Sequence, residues 1–341
     1  MQRFEWQRAN TPEMATAHTR TTAQAMLSLD KEPEAHQSIL IKAGGVDLLD
    51  LMKAGLVVPK RLVDISQLHE LEGISRTAEG GFRIGTLTTL AQIAGHETLA
   101  QQYPALIDAV ASAASPQIRN RATIGGNLLQ RPRCWYLRSA AHHCLRKGGA
   151  HCFALDGDNR YHAIFANQSC AIVHASTPAT PLLAFSAEVE LRNHDGKQRR
   201  VALKDFFRLP QADLHRENIL ADGELLTAVL LPPPSPANRS VYLEVGEKAA
   251  FDWPLAAVSI VLQMARDQQC QQASIVLGAV APIPWQASAA EAVVQGARIN
   301  SETARAAAEA ALTDATPLAD NGYKLHLVKT LVQRAIMSTV N

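Results

Sequence analysis

Four of the five cysteines in this chain lie within one stretch of the sequence, and thiols are among its most reactive side chains. They are Cys134, Cys144, Cys152 and Cys170, whereas Cys270 stands apart. Ordinary buried thiols would explain such neighbours without any function. Thiolates also bind zinc and iron–sulfur clusters, so the grouping predicts a metal centre.

The loop that carries these thiols has few apolar residues around which to fold. Between Arg138 and Cys152 the only large aliphatic side chain is Leu145, which contributes about 2 kcal/mol when it is buried. Ordering the backbone of such a loop costs on the order of 15 to 30 kcal/mol. Either the loop is disordered or a ligand or cross-link holds it. Because the N-terminal residues lack an apolar signal segment, we expect a reducing cytoplasm, where disulfides do not persist.

The spacing of the cysteines distinguishes a zinc site from an iron–sulfur cluster. Nine, seven and seventeen residues lie between successive cysteines, whereas structural zinc prefers close pairs such as Cys-x2-Cys. An iron–sulfur cube takes four thiolates, and irregular spacing suffices once folding brings them together. We therefore favour a cluster and keep zinc as the alternative. The histidines near enough to be zinc ligands are His142, His143, His151 and His162.

Basic residues surround the thiols. They are Arg131, Arg133, Arg138, Arg146 and Lys147. Such side chains would balance the negative charge of a cluster or meet an acidic partner surface. A basic loop in contact with solvent explains them equally well.

Two glycine turns form a second kind of candidate site. At Ala43-Gly44-Gly45-Val46-Asp47-Leu48 a predicted strand gives way to a helix, whose first amides favour an anion such as a diphosphate. In Thr123-Ile124-Gly125-Gly126-Asn127 a hydroxyl and an amide that suit ribityl or phosphate oxygens flank two glycines. Neither a Gly-x-Gly-x-x-Gly nor a Gly-x4-Gly-Lys-Ser/Thr motif occurs. Plain turns remain the alternative, but two together favour a cofactor cleft.

Hydrophobic periodicity predicts the elements that position these residues. Residues 1–60 predict strand, helix, strand and helix, including a strand at Ile39–Ile41 and a helix at Val46–Lys53. Within them, the polar stretch Asn10–Gln37 contains a helix-like segment, Thr16–Leu29, of no evident purpose. Further predicted strands are Arg61–Ile65, Phe82–Gly85, Val189–Leu191, Val201–Leu203, Val241–Val245, Ala256–Met264 and Ala273–Val280. Further predicted helices are one that begins near Leu90 with Thr88 as its cap, Ala105–Ala114, Thr180–Ser186, Ser301–Leu312 and Tyr323–Ser338.

The chain is long enough to form more than one hydrophobic core, since single cores stop growing at about 250 to 300 residues. The proline-rich run Pro232–Pro236 is the best linker, because proline at that density ends the preceding element and stiffens the backbone. We therefore expect domains at residues 1–231 and 237–341. The first has subdomains at about 1–60 and 61–231 and a cysteine-rich insertion at 131–170.

Composition and charge exclude several classes of protein. The chain is 47% hydrophobic and 19% charged, with 33 Lys and Arg against 32 Asp and Glu, which is typical of a globular protein rather than a disordered one. A net charge of +1 makes nucleic acid or an anionic membrane a poor choice of partner. No apolar run is long enough to predict membrane insertion.

Four segments together resemble a known family. They are residues 43–49, Ile84–Thr88, Arg119–Leu128 and Asn321–Lys324, and they resemble the FAD-binding medium subunit of the molybdenum hydroxylases. This family includes xanthine dehydrogenases, carbon monoxide dehydrogenases and aldehyde oxidoreductases. The resemblance implies an α+β fold, in which a two-subdomain FAD-binding domain of the vanillyl-alcohol-oxidase (PCMH) type precedes a C-terminal α/β domain.

The resemblance also implies the residues that contact FAD. They are Ala43, Gly44, Gly45, Val46, Asp47 and Leu48 at the diphosphate, and Thr86, Thr123, Gly125, Gly126 and Asn127 along the rest of the cofactor. One departure lies near the flavin, where the family usually has His-Pro-Ser-Asp and this chain has His174-Ala175-Ser176-Thr177. A hydroxyl therefore stands where relatives often supply a carboxylate.

The cysteine-rich insertion resembles a smaller branch of the family that carries an extra [4Fe-4S] cluster. This branch includes flavoprotein subunits of periplasmic aldehyde oxidoreductase and of 4-hydroxybenzoyl-CoA reductase. The resemblance implies Cys134, Cys144, Cys152 and, as the fourth ligand, Cys170.

The function implied by the resemblance is electron transfer, with no acid–base or nucleophilic catalytic residue on this chain. A large molybdenum-cofactor subunit would oxidise the substrate, and a small [2Fe-2S] subunit would pass electrons to FAD and then to an external acceptor. The complex would lie in the cytoplasm, or in the periplasm if an exported partner carried this chain with it. The alternative is a zinc-stapled scaffold or binding module without a redox role.

Overall fold

The structure is a computed structural model that describes residues 1–17, 39–248, 251–265 and 268–340. Its strands form a three-stranded, a five-stranded and a four-stranded sheet. The strands are β1 Glu5–Arg8, β2 Ile39–Lys42, β3 Arg61–Asp64, β4 Ile74–Arg76, β5 Phe82–Gly85, β6 Glu188–Asn193, β7 Gln198–Ala202, β8 Glu224–Leu231, β9 Asn238–Val245, β10 Ala256–Met264, β11 Cys270–Gly278 and β12 Trp285–Gln286.

Helices pack on all three sheets. They are α1 Pro12–Ala17, α2 Val46–Lys53, α3 Leu90–Ala94, α4 Glu97–Gln102, α5 Pro104–Ser112, α6 Pro116–Arg119, α7 Ile124–Leu128, α8 Phe153–Asp156, α9 Ala179–Ala184, α10 Leu203–Phe206, α11 Ser288–Val294, α12 Ser301–Ala310 and α13 Tyr323–Ser338. Within the described ranges, none of them combines the length and the apolar character that a bilayer crossing requires.

The three-stranded sheet is parallel, with β3 between β1 and β2. Alternate residues of β3 face opposite sides, so Leu62 packs in the apolar cluster with α2 while Val63 packs in a cluster on the other side. Burial on both faces is typical of parallel strands. The sheet thereby fixes the end of β2, where the first glycine turn begins.

The five-stranded sheet is antiparallel in the order β4-β5-β8-β6-β7. Its core brings Ile84 of β5 and Val229 of β8 together with Leu106 of α5 and Leu182 of α9. The second glycine turn belongs to this core through Ile124 and is therefore held against the sheet.

The four-stranded sheet is antiparallel in the order β12-β11-β10-β9, and α11, α12 and α13 share its apolar core. Phe165, which follows most of the cysteine-rich insertion, packs in the same core. The amides of Ile164 and Phe165 donate to the carbonyl of Val280 at 2.9 and 3.1 Å. The far end of the insertion is thus fixed to the C-terminal sheet.

Most of the predicted elements are confirmed, and the cap of one helix differs. Strand β10 and helix α13 have the predicted bounds. The cap of α3 is Thr89 rather than Thr88, because Gln92 lies three residues after Thr89 and completes a capping box with it. Thr88 instead bonds the backbone of Gly73. The predicted segment Thr16–Leu29 lies largely outside the described residues.

Candidate functional site

A cleft with a cavity volume of about 500 Å³ lies where the first two sheets meet. Both glycine turns line it, as do the start of β8 and the side chain of Trp253. Every residue predicted to contact FAD lies on its wall: Ala43, Gly44, Gly45, Val46, Asp47, Leu48, Thr86, Thr123, Gly125, Gly126 and Asn127. Among the wall residues that sequence reasoning missed are Asn218, Leu220, Leu225, Leu226 and Phe251. Their residue types carry no cofactor signal, and only the fold brings them to the cleft.

The first turn offers backbone amides to the cleft. Gly45 has φ 79° and ψ 0° and caps α2 without a side-chain hydrogen bond, so the first-turn amides of the helix have no partner within it. An ideal Cβ on Gly44 would lie 2.0 Å from the carbonyl oxygen of Arg121. Only glycine therefore allows this turn to pack on the segment before the second turn. Uncapped amides at a helix start suit an anionic diphosphate.

The second turn packs against Thr86. The Gly125 amide donates to the Thr86 carbonyl at 3.0 Å, and a Cβ on Gly125 would meet Thr86 Oγ1 at 1.7 Å. Thr123 caps α7 by accepting from the Gly126 amide at 3.2 Å. Glycine at position 125 thus permits a close approach of the turn to the Thr86 side chain, and Thr86 also lines the cleft.

Asn127 is oriented by a residue that follows the insertion. Ser176 Oγ donates to Asn127 Oδ1 at 2.6 Å, an arrangement that sequence reasoning missed. Thr177, the hydroxyl at the expected carboxylate position, lies on the cleft wall. This edge of the cleft is therefore polar without a carboxylate at either of these positions.

Asp47 joins the first glycine turn to the cysteine-rich insertion. Its carboxylate accepts from the Arg131 amide at 2.8 Å and pairs with Arg133 at 2.7 Å and with Arg138 at 2.6 Å. Burial alone would raise the pKa of this carboxyl, but Arg133, Arg138 and the amide together hold the pKa below its usual value. The negative charge beside the turn is therefore directed at arginines rather than at an anion in the cleft.

The fold brings the four grouped thiols together. Cys144, Cys152 and Cys170 are buried and Cys134 is half-buried. The Cys152 and Cys170 thiols are hydrogen-bonded, which lowers the pKa of Cys152 and raises that of Cys170. Burial raises the pKa of Cys134 to about 12, and nearby Cys152 and Cys144 add to that effect. Cys270 lies apart on β11, where its thiol donates to the Gln272 carbonyl at 3.2 Å.

Buried cations surround these thiols. Arg131 and Arg146 are each 1% exposed and Lys147 is 8% exposed, so a basic loop in contact with solvent is the wrong interpretation for these three residues. Both arginines donate to Glu217, Arg131 at 2.6 Å to Oε2 and Arg146 to Oε1. Glu217 lies more than seventy residues from both in sequence, and sequence reasoning missed it.

The charges of this buried group do not balance. Arg131 and Arg146 share the single Glu217 carboxylate, and the buried Lys147 donates to the Ser139 carbonyl at 2.6 Å. Arg131 Nε and Nη2 have no hydrogen-bond partner among the described residues, and unsatisfied buried donors are costly. Four thiolates on an iron–sulfur cube carry net negative charge, so an anionic cluster fits this donor set and its surroundings.

A single metal ion fits less well. Within the parts of the chain that the structure describes, no three His, Cys, Asp or Glu side chains converge as ligands of one ion. Zinc needs its ligands within about 2.0 to 2.3 Å of one centre, whereas a cube takes one thiolate at each of four separate irons. The geometry therefore weighs against the zinc alternative.

The comparisons with known proteins agree with this architecture. Residues 3–234 match the model of the FAD binding domain in molybdopterin dehydrogenase, and residues 242–339 match that of the CO dehydrogenase flavoprotein C-terminal domain. The chain belongs to the FAD-binding subunits of the molybdenum hydroxylase family. As such it is a subunit of an oxidoreductase.

Among its relatives is the aldehyde oxidoreductase FAD-binding subunit PaoB of Escherichia coli K12, which is 35% identical over 96% of both chains. The xanthine dehydrogenase FAD-binding subunit of Escherichia coli O157:H7 is 27% identical over 94% of both. A carbon monoxide dehydrogenase structure from Hydrogenophaga pseudoflava superposes with a TM-score of 0.73 at 23% identity, covering 99% of this chain and 98% of that one. This structural likeness confirms the fold.

Proposed function

We propose that this chain is the electron-transferring FAD subunit of a molybdenum hydroxylase complex and carries a [4Fe-4S] cluster of its own. One observation carries the proposal. Asp47 on the wall of the cleft, beside uncapped helix amides, bonds to Arg131, Arg133 and Arg138 of the cysteine-rich insertion. This direct connection supports two neighbouring redox sites.

In this proposal the backbone of residues 44–48 holds the FAD diphosphate, and Thr123 and Asn127 orient the rest of the cofactor. Ser176 fixes the Asn127 side chain by its 2.6 Å hydrogen bond. FAD, when bound, supplies the exchange of single electrons for electron pairs. The chain itself binds, orients and shields the cofactor, and it needs no nucleophile.

Cys134, Cys144, Cys152 and Cys170 hold the cluster in this proposal. Arg146 interacts with the Cys170 sulfur as well as with Glu217, and Lys147 lies close enough to Cys144 and Cys134 for their charges to interact. These cations stabilise thiolates and hence the ligated form. The cations that the structure buries thereby gain an anionic partner.

The partners in this proposal are a large molybdenum-cofactor subunit and a small [2Fe-2S] subunit. Their assembly with this chain would take place in the cytoplasm. Aldehydes are the substrate class to test first, because the 35% identical relative is a subunit of an aldehyde oxidoreductase. The external acceptor receives electrons from this chain.

The test is anaerobic purification of the complex after coexpression of its subunits, with quantification of FAD, iron and acid-labile sulfide. We expect one FAD per copy of this chain, and flavin and iron–sulfur absorption that dithionite bleaches. Cys144→Ser should lower the iron and sulfide content by about one cluster while FAD stays. Cys270→Ser is the matched control, since this buried cysteine lies apart from the group.

Each part of the proposal has its own opposing result. A complex without FAD would overturn the flavin assignment. Iron content that Cys144→Ser leaves unchanged would overturn the ligand assignment, and zinc in place of iron would support the scaffold alternative.

A further inference from the structure

His162 lies against one of the four grouped thiols. Its Nε2 is 3.2 Å from the Sγ of Cys134. The histidine is 3% exposed and the cysteine is half-buried, so the contact is largely shielded from water. A hydrogen bond is stronger in such surroundings than in solvent.

The direction of this hydrogen bond follows from the chemistry of the sulfur. A sulfur that binds iron is a thiolate and has no hydrogen to donate. The hydrogen is therefore assigned to His162 Nε2, which donates to Cys134. The opposite assignment would place the hydrogen on Nδ1, which is buried and has no partner in the described part of the chain. An unpaired, buried N–H is costly.

Aromatic neighbours hold the imidazole ring in place. The Trp135 ring meets it edge to face with centroids 5.3 Å apart, and the Tyr136 ring centroid lies 6.0 Å away. A phenyl ring at position 162 would keep these packing contacts but would have no N–H. Packing and hydrogen bonding can therefore be separated by substitution at this position.

The backbone of His162 is fixed to the loop before α13. Its amide donates to the Asn159 carbonyl at 2.9 Å, and its carbonyl accepts from Asn321 Nδ2 at 3.2 Å. Asn321 is fully buried. The N–H of the ring is thus aimed at the sulfur by residues that are themselves held in place, as a preorganised site requires.

Cys134 is the thiol that adjoins the flavin site. It lines a cavity together with Thr177 and Trp253, and both of these residues also line the cleft. The hydrogen bond from His162 therefore lies on the side of the thiol group that faces the flavin.

We propose that His162 raises the reduction potential of the cluster by donating a hydrogen bond to the Cys134 thiolate, an inference that rests on the proposed function. A cluster that gains one electron becomes more negative, and donors to its sulfurs stabilise the more negative state. No bond forms or breaks in this step, and the proton stays on Nε2. The electron comes from dithionite in the titration below. His162 acts through Cys134 and is a positioning residue, not a ligand.

His162→Phe in the whole complex is the main test, because it removes the N–H and keeps an aromatic ring. The cluster potential is measured by titration with dithionite, followed by EPR spectroscopy. We expect the ratio of reduced to oxidised cluster at a fixed potential to fall about tenfold, which corresponds to about 59 mV for one electron. FAD and iron contents should match the parent complex.

Two further variants separate the hydrogen bond from packing. His162→Gln has an amide nitrogen that can donate in place of Nε2, so its cluster potential should lie closer to that of the parent than to that of His162→Phe. His142→Phe is the matched control. The His142 ring also packs edge to face on Tyr136, at 5.2 Å, but its Nδ1 lies 3.0 Å from Ser139 Oγ. Its cluster potential should equal that of the parent.

Pulsed EPR of the reduced complex gives a second measurement. With ¹⁵N-labelled histidine, the parent should show a nitrogen weakly coupled to the cluster through the N–H···S bond, and His162→Gln should lack this coupling. This comparison decides the case if His162→Phe binds no cluster.

Three outcomes overturn the inference and leave the proposed function intact. The first is the same cluster potential in His162→Phe and in the parent. The second is a fall in His162→Gln as large as that in His162→Phe, and the third is a histidine nitrogen coupling that His162→Gln retains. A parent complex with no iron beyond that of its [2Fe-2S] clusters would instead defeat the proposed function.

Discussion

The flavin cleft and the cysteine-rich insertion are built in opposite ways. The cleft rests on regular elements, since each glycine turn leads into a helix whose first turn faces the cavity. Residues 131–170 contain little regular structure beyond α8 and the short 3-10 turn at Leu145–Lys147. Side-chain bonds hold the insertion instead, notably those of Glu217 to two buried arginines.

Because of this difference, the two sites depend on their ligands to different degrees. The glycine turns are held by bonds within the protein, such as that of the Gly125 amide to the Thr86 carbonyl. The insertion buries cations in excess of carboxylates, which is unfavourable without an anion. We therefore expect the cleft to keep its shape without FAD, and the insertion to loosen without its cluster.

The largest effect on stability should come from Glu217→Gln, which changes contacts of the insertion and not of the cleft. The substitution keeps the shape but leaves Arg131 and Arg146 without their carboxylate, and breaking such buried pairs costs about 3 to 5 kcal/mol. Thermal unfolding of the complex and its iron content measure the loss. Iron should fall while FAD stays.

The matched control is Glu309→Gln, which removes an exposed pair with Lys329 and should cost less than about 1 kcal/mol. If Glu217→Gln released FAD and retained iron, the contrast between the two regions would be wrong.

Gly44→Ala should give the next largest effect, and it changes contacts of the cleft and not of the insertion. The new Cβ would lie 2.0 Å from the Arg121 carbonyl oxygen, so the two glycine turns must separate, at a cost of about 1 to 3 kcal/mol. FAD content and flavin fluorescence during dilution measure the loss of affinity. Iron content should not change.

Gly322→Ala is the control for Gly44→Ala, because Gly322 has φ −59° and nothing within 4 Å of an added Cβ. An FAD content that Gly44→Ala leaves at the parent level would show that the cleft does not need the close packing of its turns.

The same contrast explains what the sequence could predict. The cleft turns depend on local signals, such as two glycines between an apolar strand and an amphipathic helix, and these predicted β2, α2 and the two turns. The resemblance to the family implied the full set of wall residues. The grouping of cysteines likewise predicted that the fold gathers them. These features lie within a few residues of one another or in one loop.

The support of the insertion could not be predicted, because its partners lie far along the chain. Glu217 is one glutamate among many, and neighbouring residues do not mark it as the partner of Arg131. The arginines themselves left two interpretations open, and only their burial decides between them. Asp47 was predicted as a cofactor contact, whereas its bonds to three arginines become visible only when the fold brings residues 131–138 to α2.

An effect of similar size concerns His174, which lines a cavity of about 250 Å³ that is also lined by Cys134 and by the cleft residue Thr177. Burial lowers its pKa from 6.5 to about 4, so above pH 6.5 the imidazole is neutral in both folded and unfolded chains and adds no pH dependence. As the pH falls from 6.5 to 4, His174 binds a proton in the unfolded chain but not in the folded chain. The free energy of unfolding therefore falls by about 1 to 3 kcal/mol. His174→Gln should remove that loss, seen as a smaller drop in the unfolding midpoint between pH 7 and pH 5.

The control is His69→Gln, at a side chain that is 80% exposed, and its unfolding midpoint should change with pH as that of the parent does. If the drop in the unfolding midpoint is the same in His174→Gln as in the parent, the region between the cleft and the insertion is accessible to protons. The insertion then shields a smaller region from solvent than the structure indicates.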